Sequence, residues 1–317
     1  MNPAPPVTTM RTCPPRSLSA PTSVSESVAT ISGGGRVRAC VLGANGQLGR
    51  ALVAARPDAV ALDRAALDIG DADAVAAHDF TGVDVVFNAA AHTAVDRAET
   101  EPAKAWRANA AGPAHLAAAA REHGFLLVHV STEYVFDGTA PGPVPEDAPL
   151  SPLGVYGASK AAGELAVRAA LPERHVIVRT SWVVGDGGNF VATMARLARD
   201  GVRPAVVDDQ VGRPTFAPDL ATALLVLAGS GQHGTFHVTG DGEPVSWYRL
   251  AREVFARCGR DPGDVRPVSS SEYAADKPHL APRPANSVLD LSRATRAGVA
   301  MPAWRDGLDQ VLARAPR

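Results

Sequence analysis

The chain has 317 residues, 46% of them hydrophobic and 20% charged, with a formal net charge of -2. That balance is ordinary for a globular fold, offers no basic surface for a nucleic acid, and contains no apolar run near the roughly 18 residues needed to span a membrane. The cysteines, Cys13, Cys40 and Cys258, are odd in number and far apart, which fits a reducing, cytoplasmic setting better than a disulfide framework.

Residues 1–36 are rich in Pro, Ser and Thr and close on Ser32-Gly-Gly-Gly35. They hold too few large apolar residues to offset their ordering entropy, and prolines interrupt every run that might serve as a signal-peptide core. The segment reads as a disordered leader, or as a start codon assigned too far upstream. The rest of the chain is long enough for one large α/β unit or a domain with a smaller partner.

Val37–Leu42 is a short β-rich run, and Gly43-Ala-Asn-Gly46-Gln47-Leu48-Gly49 follows it directly, with a helix over 50–55 that stops before Pro57. Strand, glycine turn and helix in this order provide bare backbone where N–H groups and a helix N-terminus meet a pyrophosphate. The plainer alternative is a tight turn that packs helix on strand. The next apolar run, 59–62, ends at Asp63, about 20 residues past the first glycine, where an acidic side chain accepts from the adenosine ribose hydroxyls. Asp63 favours NADH, whereas the adjacent Arg64 suits a 2′-phosphate, so the spacing leaves NADH or NADPH open. Asp68 either lies beside the adenine or caps the following helix.

The continuous apolar run 84–91 predicts a strand buried on both faces of a parallel sheet, with His92 and Thr93 at its carboxyl end, where open α/β sheets bind ligands. A helix over 110–123 ends at Gly124. A second buried strand, 125–130, runs into Ser131-Thr132-Glu133-Tyr134. The loop 137–152 is long, rich in Pro and Gly, and of the kind that is functional or mobile. In the helix over 156–170, Tyr156 and Lys160 lie one turn apart on one face. An ammonium beside a phenol pulls its pKa down from about 10 and makes it a proton donor to a carbonyl oxygen; the bland alternative is a chance pair on an exposed helix. With a further strand at 175–179, the alternation predicts a Rossmann-type doubly wound parallel α/β sheet with right-handed crossovers over 37–185. Helices at 190–199, 219–227, 247–258 and after Pro302, with strands at 205–207 and 234–239, predict a smaller C-terminal substrate-binding lobe over 186–317, some of whose elements return to the sheet.

Together the GxxGxxG turn, Asn88-Ala-Ala-Ala-His-Thr93-Ala-Val-Asp96-Arg-Ala-Glu99, Ser131-Thr-Glu-Tyr-Val-Phe-Asp137-Gly, Val155-Tyr-Gly-Ala-Ser-Lys160, Arg179-Thr-Ser-Trp182 and Asp209-Gln-Val-Gly-Arg-Pro-Thr215 resemble the extended short-chain dehydrogenases/reductases from about Val37 to the C-terminus. Within them the chain is similar to the branch that reduces dTDP-linked 4-keto-6-deoxy sugars at C4 to give dTDP-L-rhamnose. The resemblance implies Tyr156 as general acid, Lys160 lowering its pKa and holding the nicotinamide ribose, and Thr132 hydrogen-bonding the substrate carbonyl. It also implies that Gly43, Gly46, Gln47, Leu48 and Gly49 meet the pyrophosphate, Asp63 the ribose, Asp68 and Ile69 the adenine, and Ala91, His92 and Thr93 the nicotinamide side. Glu133 and Trp182 fall on the sugar side, Trp182 being equally readable as a core aromatic. Arg213 and Arg283 are candidates for the substrate diphosphate, because a guanidinium fork matches phosphate oxygens; for Arg213 a solvated surface arginine is the slightly preferred alternative, while His92 reads as a cofactor neighbour in preference to a polar core residue, and Asp96 and Glu99 as caps of the next helix.

Two departures stand out. The branch's usual aspartate after the threonine is Glu133 here, one methylene longer, which keeps a related deoxysugar reductase in view. A non-catalytic nucleotide-binding subunit is the reading from another class, and intact Thr132, Tyr156 and Lys160 weigh against it. Some relatives bridge two subunits with Mg²⁺ through a glutamate two residues after the last glycine; Ala51 stands there, so the expectation is no metal and a monomer or weak homodimer. Treatment with a chelator is therefore expected to leave turnover and sedimentation unchanged, and loss of either would reinstate a structural cation.

Overall fold

Short runs of Val, Leu, Ile and Phe pair side by side in the computed structural model, which describes residues 37–314; the leader expected over 1–36 lies outside the described residues. The strands in chain order are β1 (Ala39–Leu42), β2 (Val60–Leu62), β3 (Val85–Asn88), β4 (Leu126–Thr132) and β5 (His175–Thr180), then β6 (Val183–Val184), β7 (Ala205–Val207), β8 (Val211–Gly212), β9 (Thr215–Phe216), β10 (Gly234–His237), β11 (Val245–Ser246) and β12 (Arg266–Val268). The helices are α1 (Gln47–Ala55), α2 (Ala72–Ala77), α3 (Val95–Thr100), α4 (Pro102–Trp106), α5 (Gly112–His123), α6 (Val155–Ala170), α7 (Phe190–Arg199), α8 (Ala217–Gly229), α9 (Trp247–Arg257), α10 (Ser270–Ala274), α11 (Ser292–Arg296) and α12 (Trp304–Arg314).

The main sheet runs β10-β5-β4-β3-β1-β2, parallel throughout. Strand side chains alternate between faces, and both faces are covered, which is why the runs read as continuously apolar. Val41, Phe87, Val128 and Val178 pack with Leu48 and Leu52 of α1 and Leu220 and Leu224 of α8. On the other face Cys40, Val86, Leu127 and Ile177 pack with Val75 of α2, Leu116 and Ala120 of α5 and Val167 of α6. Each such aliphatic or aromatic side chain stabilises the fold by about 1.5–3 kcal/mol relative to exposure. The chain winds from β1 outward to β2, then restarts at β3 on β1's other side. That reversal opens a crevice beyond the carboxyl ends of β1 and β3, where open α/β sheets take ligands.

After β5 the chain leaves the sheet and builds a separate cluster from Val191 and Met194 of α7, Leu250, Val254 and Phe255 of α9, and Trp304 and Leu308 of α12. Two expectations change here. The helix read over 110–123 starts at Gly112, because residues Arg107–Ala111 form a π-helical turn continuous with α4 and α5. The loop 137–152 is not a loose lid: Val144 pairs with Leu289 as a parallel bridge, the Val144 N–H bonds the Val288 carbonyl at 2.9 Å, and the Asn286 side-chain amide holds the Ala140 and Gly142 carbonyls at 2.7 and 2.8 Å. Phe136, Val144 and Leu289 give it a small core of its own.

The catalytic helix candidate α6 is fixed to this frame by charge. Glu164, fully buried, takes a forked pair from Arg179 of β5 at 2.9 and 2.8 Å, and Arg179 also donates to the Glu146 carbonyl at 3.0 Å and to His237 of β10 at 3.2 Å. Removing one partner of a buried pair strands the other charge, which costs about 3–5 kcal/mol. Glu164→Ala is accordingly expected to lower unfolding free energy by that amount in urea titrations, with Glu164→Gln losing less; a loss under about 1 kcal/mol would deny the pair its anchoring role.

Candidate active site

The glycine turn is shaped by close backbone approach. Gly43 has φ +75°, and a Cβ there would lie 2.7 Å from the Ala90 nitrogen. At Gly49 a Cβ would lie 2.1 Å from the Gly43 carbonyl oxygen, so only glycine lets α1 start against the turn. Gly46, which lines the crevice, caps α1 without any side-chain hydrogen bond, so the first-turn N–H groups of α1 have no side-chain cap.

That crevice is a cavity of about 320 Å³ lined by Gly43, Gly46, Asp63, Asp68, Ile69, Ala91 and His92, among others. Thus the predicted adenosine-side residues and the strand-end residues come together. The carboxylate of Asp63 takes the Asn45 amide at 2.7 Å and the Ala65 and Ala66 N–H groups at 3.0 Å, which fixes it at the strand end. Asp68 does not cap α2; Asp71 does, through the Ala74 N–H. Asp68 instead pairs with Arg107 at 3.0 Å and with Arg64 at 3.4 Å, so two guanidinium groups flank it at the cavity wall. His92 is held by its backbone, both of whose polar groups bond the Asn109 side chain at 2.8 and 3.0 Å, and its Nε2 is buried with no partner. A glycine cradle, an uncapped helix start and an orphaned ring nitrogen are what a dinucleotide would fill, so the residues present fit such a cofactor.

Gln47, Leu48 and Gly49 are not among the residues lining the crevice. The Gln47 side chain is committed elsewhere, accepting from the Gly185 N–H at 2.7 Å, and Leu48 is buried in the core. Thr93 is not among the cavity-lining residues.

At the carboxyl end of β4, Thr132 stands beside α6. Its hydroxyl donates to Glu133 Oε2 at 2.7 Å, accepts from the Tyr134 N–H at 3.2 Å, and lies within hydrogen-bond reach of the Tyr156 hydroxyl. Rings of Tyr134 and Tyr156 meet edge-on at 5.3 Å. The expected phenol–ammonium contact is not what the fold makes. Lys160 turns inward, donating to the Val130 carbonyl at 2.7 Å and standing 3.4 Å from His129 Nε2, while His129 Nδ1 contacts the Asn88 amide at 3.0 Å. Burial, and then the Glu133 charge, push the Tyr156 phenol well above its ordinary value instead of below it. Burial lowers the Lys160 ammonium to about 8 and holds His129 neutral. Burial also raises the Glu133 carboxyl to about 7, offset in part by its bond from Thr132.

Beyond Tyr134 lies a second cavity of about 570 Å³, lined by Phe190, Gln210, Trp247, Tyr273 and Arg283. Arg283 is not a bare fork: it already grips Asp96 at 2.9 and 3.0 Å and the Ala281 carbonyl at 2.8 Å. Asp96 therefore does not cap a helix but ties the 281–283 segment to α3, accepting also from the Ala281 N–H at 3.0 Å. Glu99 likewise reaches across to α6, accepting the otherwise uncapped Val155 N–H at 2.8 Å. Trp182 stacks on Trp247 with ring centres 3.6 Å apart, so its neighbour supplies the cavity wall. Arg213 is no solvated arginine, since it holds the Gly242 and Leu289 carbonyls at 2.7 and 3.3 Å.

His129, Asn109 and Arg107 contact the expected site residues Lys160, His92 and Asp68 without having been singled out by any motif. His129 carries a signal in hindsight, a lone polar residue inside the apolar strand 126–130. Asn109 carries a weaker one among alanines, and the π-helical turn that aims it, a form often found at functional sites, has none.

Comparison with known proteins agrees with this arrangement. The family model described as "RmlD substrate binding domain" matches residues 37–316. The chain is 46% identical over 288 residues to the dTDP-4-dehydrorhamnose reductase of Mycobacterium tuberculosis, covering 87% of this chain and 92% of that protein. It is 44% identical over 249 residues to a dTDP-4-keto-6-deoxy-D-glucose reductase of Streptomyces niveus, covering 77% and 85%. The crystal structure of dTDP-4-dehydrorhamnose reductase from Bacillus anthracis in complex with NADP superposes with a TM-score of 0.81 at 35% identity, covering 88% of this chain and 99% of that one. With the glycine cradle, the Thr132–Tyr156–Lys160 cluster and matches of this extent, the chain belongs to the dTDP-4-dehydrorhamnose reductase family of extended short-chain dehydrogenases/reductases.

Proposed function

We infer that this protein reduces the C4 keto group of dTDP-4-dehydro-6-deoxy-L-mannose, giving dTDP-L-rhamnose, with NADH or NADPH as reductant. The observation that carries the reading is the meeting of the Thr132 and Tyr156 hydroxyls at the carboxyl end of β4, beside the buried Lys160. The nicotinamide cofactor, when bound, supplies the hydride to the carbonyl carbon. Tyr156 protonates the carbonyl oxygen as negative charge develops on it. Thr132 orients that oxygen, and positioning at near-attack distance supplies much of the rate. Lys160, held from behind by Val130 and His129, presents its ammonium to the nicotinamide ribose and lends positive charge to the site.

The base and diphosphate of the sugar nucleotide belong in the cavity lined by Phe190, Trp247, Tyr273 and Arg283. Its aromatic faces suit a pyrimidine, and the Asp96-oriented Arg283 presents a fixed cation to the diphosphate. Arg64 and Arg107 flanking Asp68 favour acceptance of a 2′-phosphate, hence use of NADPH. A second reading, reduction of another dTDP-4-keto-6-deoxy sugar, is favoured by Glu133 in place of aspartate and by the Streptomyces niveus relative.

Following cofactor absorbance with NADH, NADPH and a panel of dTDP-4-keto-6-deoxy sugars tests both. Oxidation with dTDP-4-dehydro-6-deoxy-L-mannose giving dTDP-L-rhamnose is the expected result; oxidation only with another 4-keto sugar selects the second reading, and none with any sugar rejects both. Tyr156→Phe is expected to lower kcat by about 10²–10⁴-fold with cofactor affinity nearly unchanged; an unaltered rate would remove Tyr156 as the acid.

A further inference from the structure

The Glu133 carboxyl has no task in the reduction as derived, yet it occupies the centre of the hydroxyl cluster. It is 3% exposed, and its Oε2 takes the only proton Thr132 has to give, at 2.7 Å. The groups facing it are Thr132 of β4, Tyr134 beside it, Tyr156 of α6 and Ser287 of the segment after Arg283. Arg283 and Asp96 face Tyr134 from beyond, and Lys160 is turned to Val130 and His129.

We propose that Glu133 is a positioning residue whose protonation state sets the direction of the hydrogen-bond chain Glu133–Thr132–Tyr156, and thereby whether the Thr132 hydroxyl faces the substrate carbonyl or turns away from it. This rests on the reductase reading.

A carboxylate only accepts. With Glu133 ionised, Thr132 must donate to it, and the Tyr156 hydroxyl then donates to Thr132. Both hydroxyl protons run away from the substrate oxygen, and a negative charge sits beside the point where the alkoxide forms. With Glu133 protonated, its O–H donates to Thr132, whose own proton turns outward to the carbonyl, and Tyr156 is released to donate as well. The Tyr134 N–H bond to Thr132 at 3.2 Å persists in either state, so the hydroxyl stays in place and only its proton changes direction. Burial lifts the carboxyl to about 7, so the change falls near neutral pH, with the active orientation on the acid side. A residue one methylene shorter in this position would have to reach Thr132 from farther away, which gives the glutamate a purpose beyond bulk.

Glu133→Gln keeps a donor to Thr132 that cannot ionise. In the wild type kcat is expected to fall about tenfold per pH unit above about 7. In the glutamine variant the fall is absent up to the next titration. Glu133→Asp restores a fall with a displaced midpoint, and Thr132→Val loses both rate and the pH dependence. Cofactor affinity is expected to stay within a few-fold in all of them. A profile in Glu133→Gln that matches the wild type overturns the proposal. An independent readout needs no turnover: in protein carrying ¹³C-labelled glutamate carboxyls, one resonance absent from Glu133→Gln or Glu133→Asp is expected to titrate near neutral pH. Titration near the ordinary glutamate value of about 4.3 overturns the proposal even if no sugar is reduced. Absence of reduction with an intact neutral titration would count against the reductase reading alone.

Discussion

A single guanidinium, that of Arg179, connects four parts of this protein. From β5 it holds Glu164 on α6, the Glu146 carbonyl in the loop 137–152, and His237 on β10, with the face of the Phe136 ring 4.8 Å away. Arg179 and Glu164 are fully buried, and such a pair adds little net stability over apolar packing. What it does is exclude other registers, because any sliding of α6 along the sheet leaves a charge unpaired in the interior. Burial, together with the neighbouring Arg179, lowers the His237 imidazole to about 3, so it stays neutral and serves as the acceptor the guanidinium requires. Lys160 and Tyr156 precede Glu164 by one and about two turns of the same helix, and their places at the sheet edge follow from this one fixed point.

The chemistry of the site follows from burial more than from the pairing of tyrosine with lysine. Desolvation drives both the phenol and the ammonium towards their neutral forms. The phenol therefore keeps its proton throughout the neutral range, and because a raised pKa makes it a weaker acid, proton transfer from it leans on close positioning against the developing alkoxide. The lysine is held by a carbonyl and a neutral imidazole, neither of which adds a second positive charge. Asn88 and His129 are paired in register on β3 and β4, and this places the imidazole under the lysine; a shift of one residue in either strand would turn it to the other face.

The sheet and the dinucleotide crevice were legible because their causes are local. Alternation of buried runs with helices, glycines forced by backbone approach, and an acid at the end of β2 all act within a few residues. The substrate side was less legible because its determinants are contacts between distant segments. Asp96 and Arg283 are separated by 187 residues in sequence, Glu99 and Val155 by 56, and Gln47 and Gly185 by 138. A one-dimensional pattern shows each of these side chains as polar and exposed, and the partner that defines its role lies on another element. The pinned loop 137–152 is the same case, since the Asn286 side chain that holds it comes from the far end of the chain.

Trp182 shows how the two halves are joined. It is the non-glycine residue with positive φ among the described residues, at +49°, a conformation that costs on the order of 1–3 kcal/mol. The turn there takes the chain from β5 in the sheet to β6 in the lobe, and β6 pairs with β9. Its carbonyl accepts the Thr215 N–H at 3.2 Å, its ring covers Gly212, where a Cβ would sit 2.8 Å from it, and it stacks on Trp247. Stacking contributes about 0.5–1.5 kcal/mol beyond area burial, and with the backbone bond and the contact on Gly212 it offsets much of the strain. The strained turn thus sets the position of Trp247, and with it one wall of the cavity opposite Tyr134. Relaxing φ would swing that wall relative to the Thr132–Tyr156 pair, so the distance between this cavity and the Tyr156 hydroxyl depends on a backbone conformation.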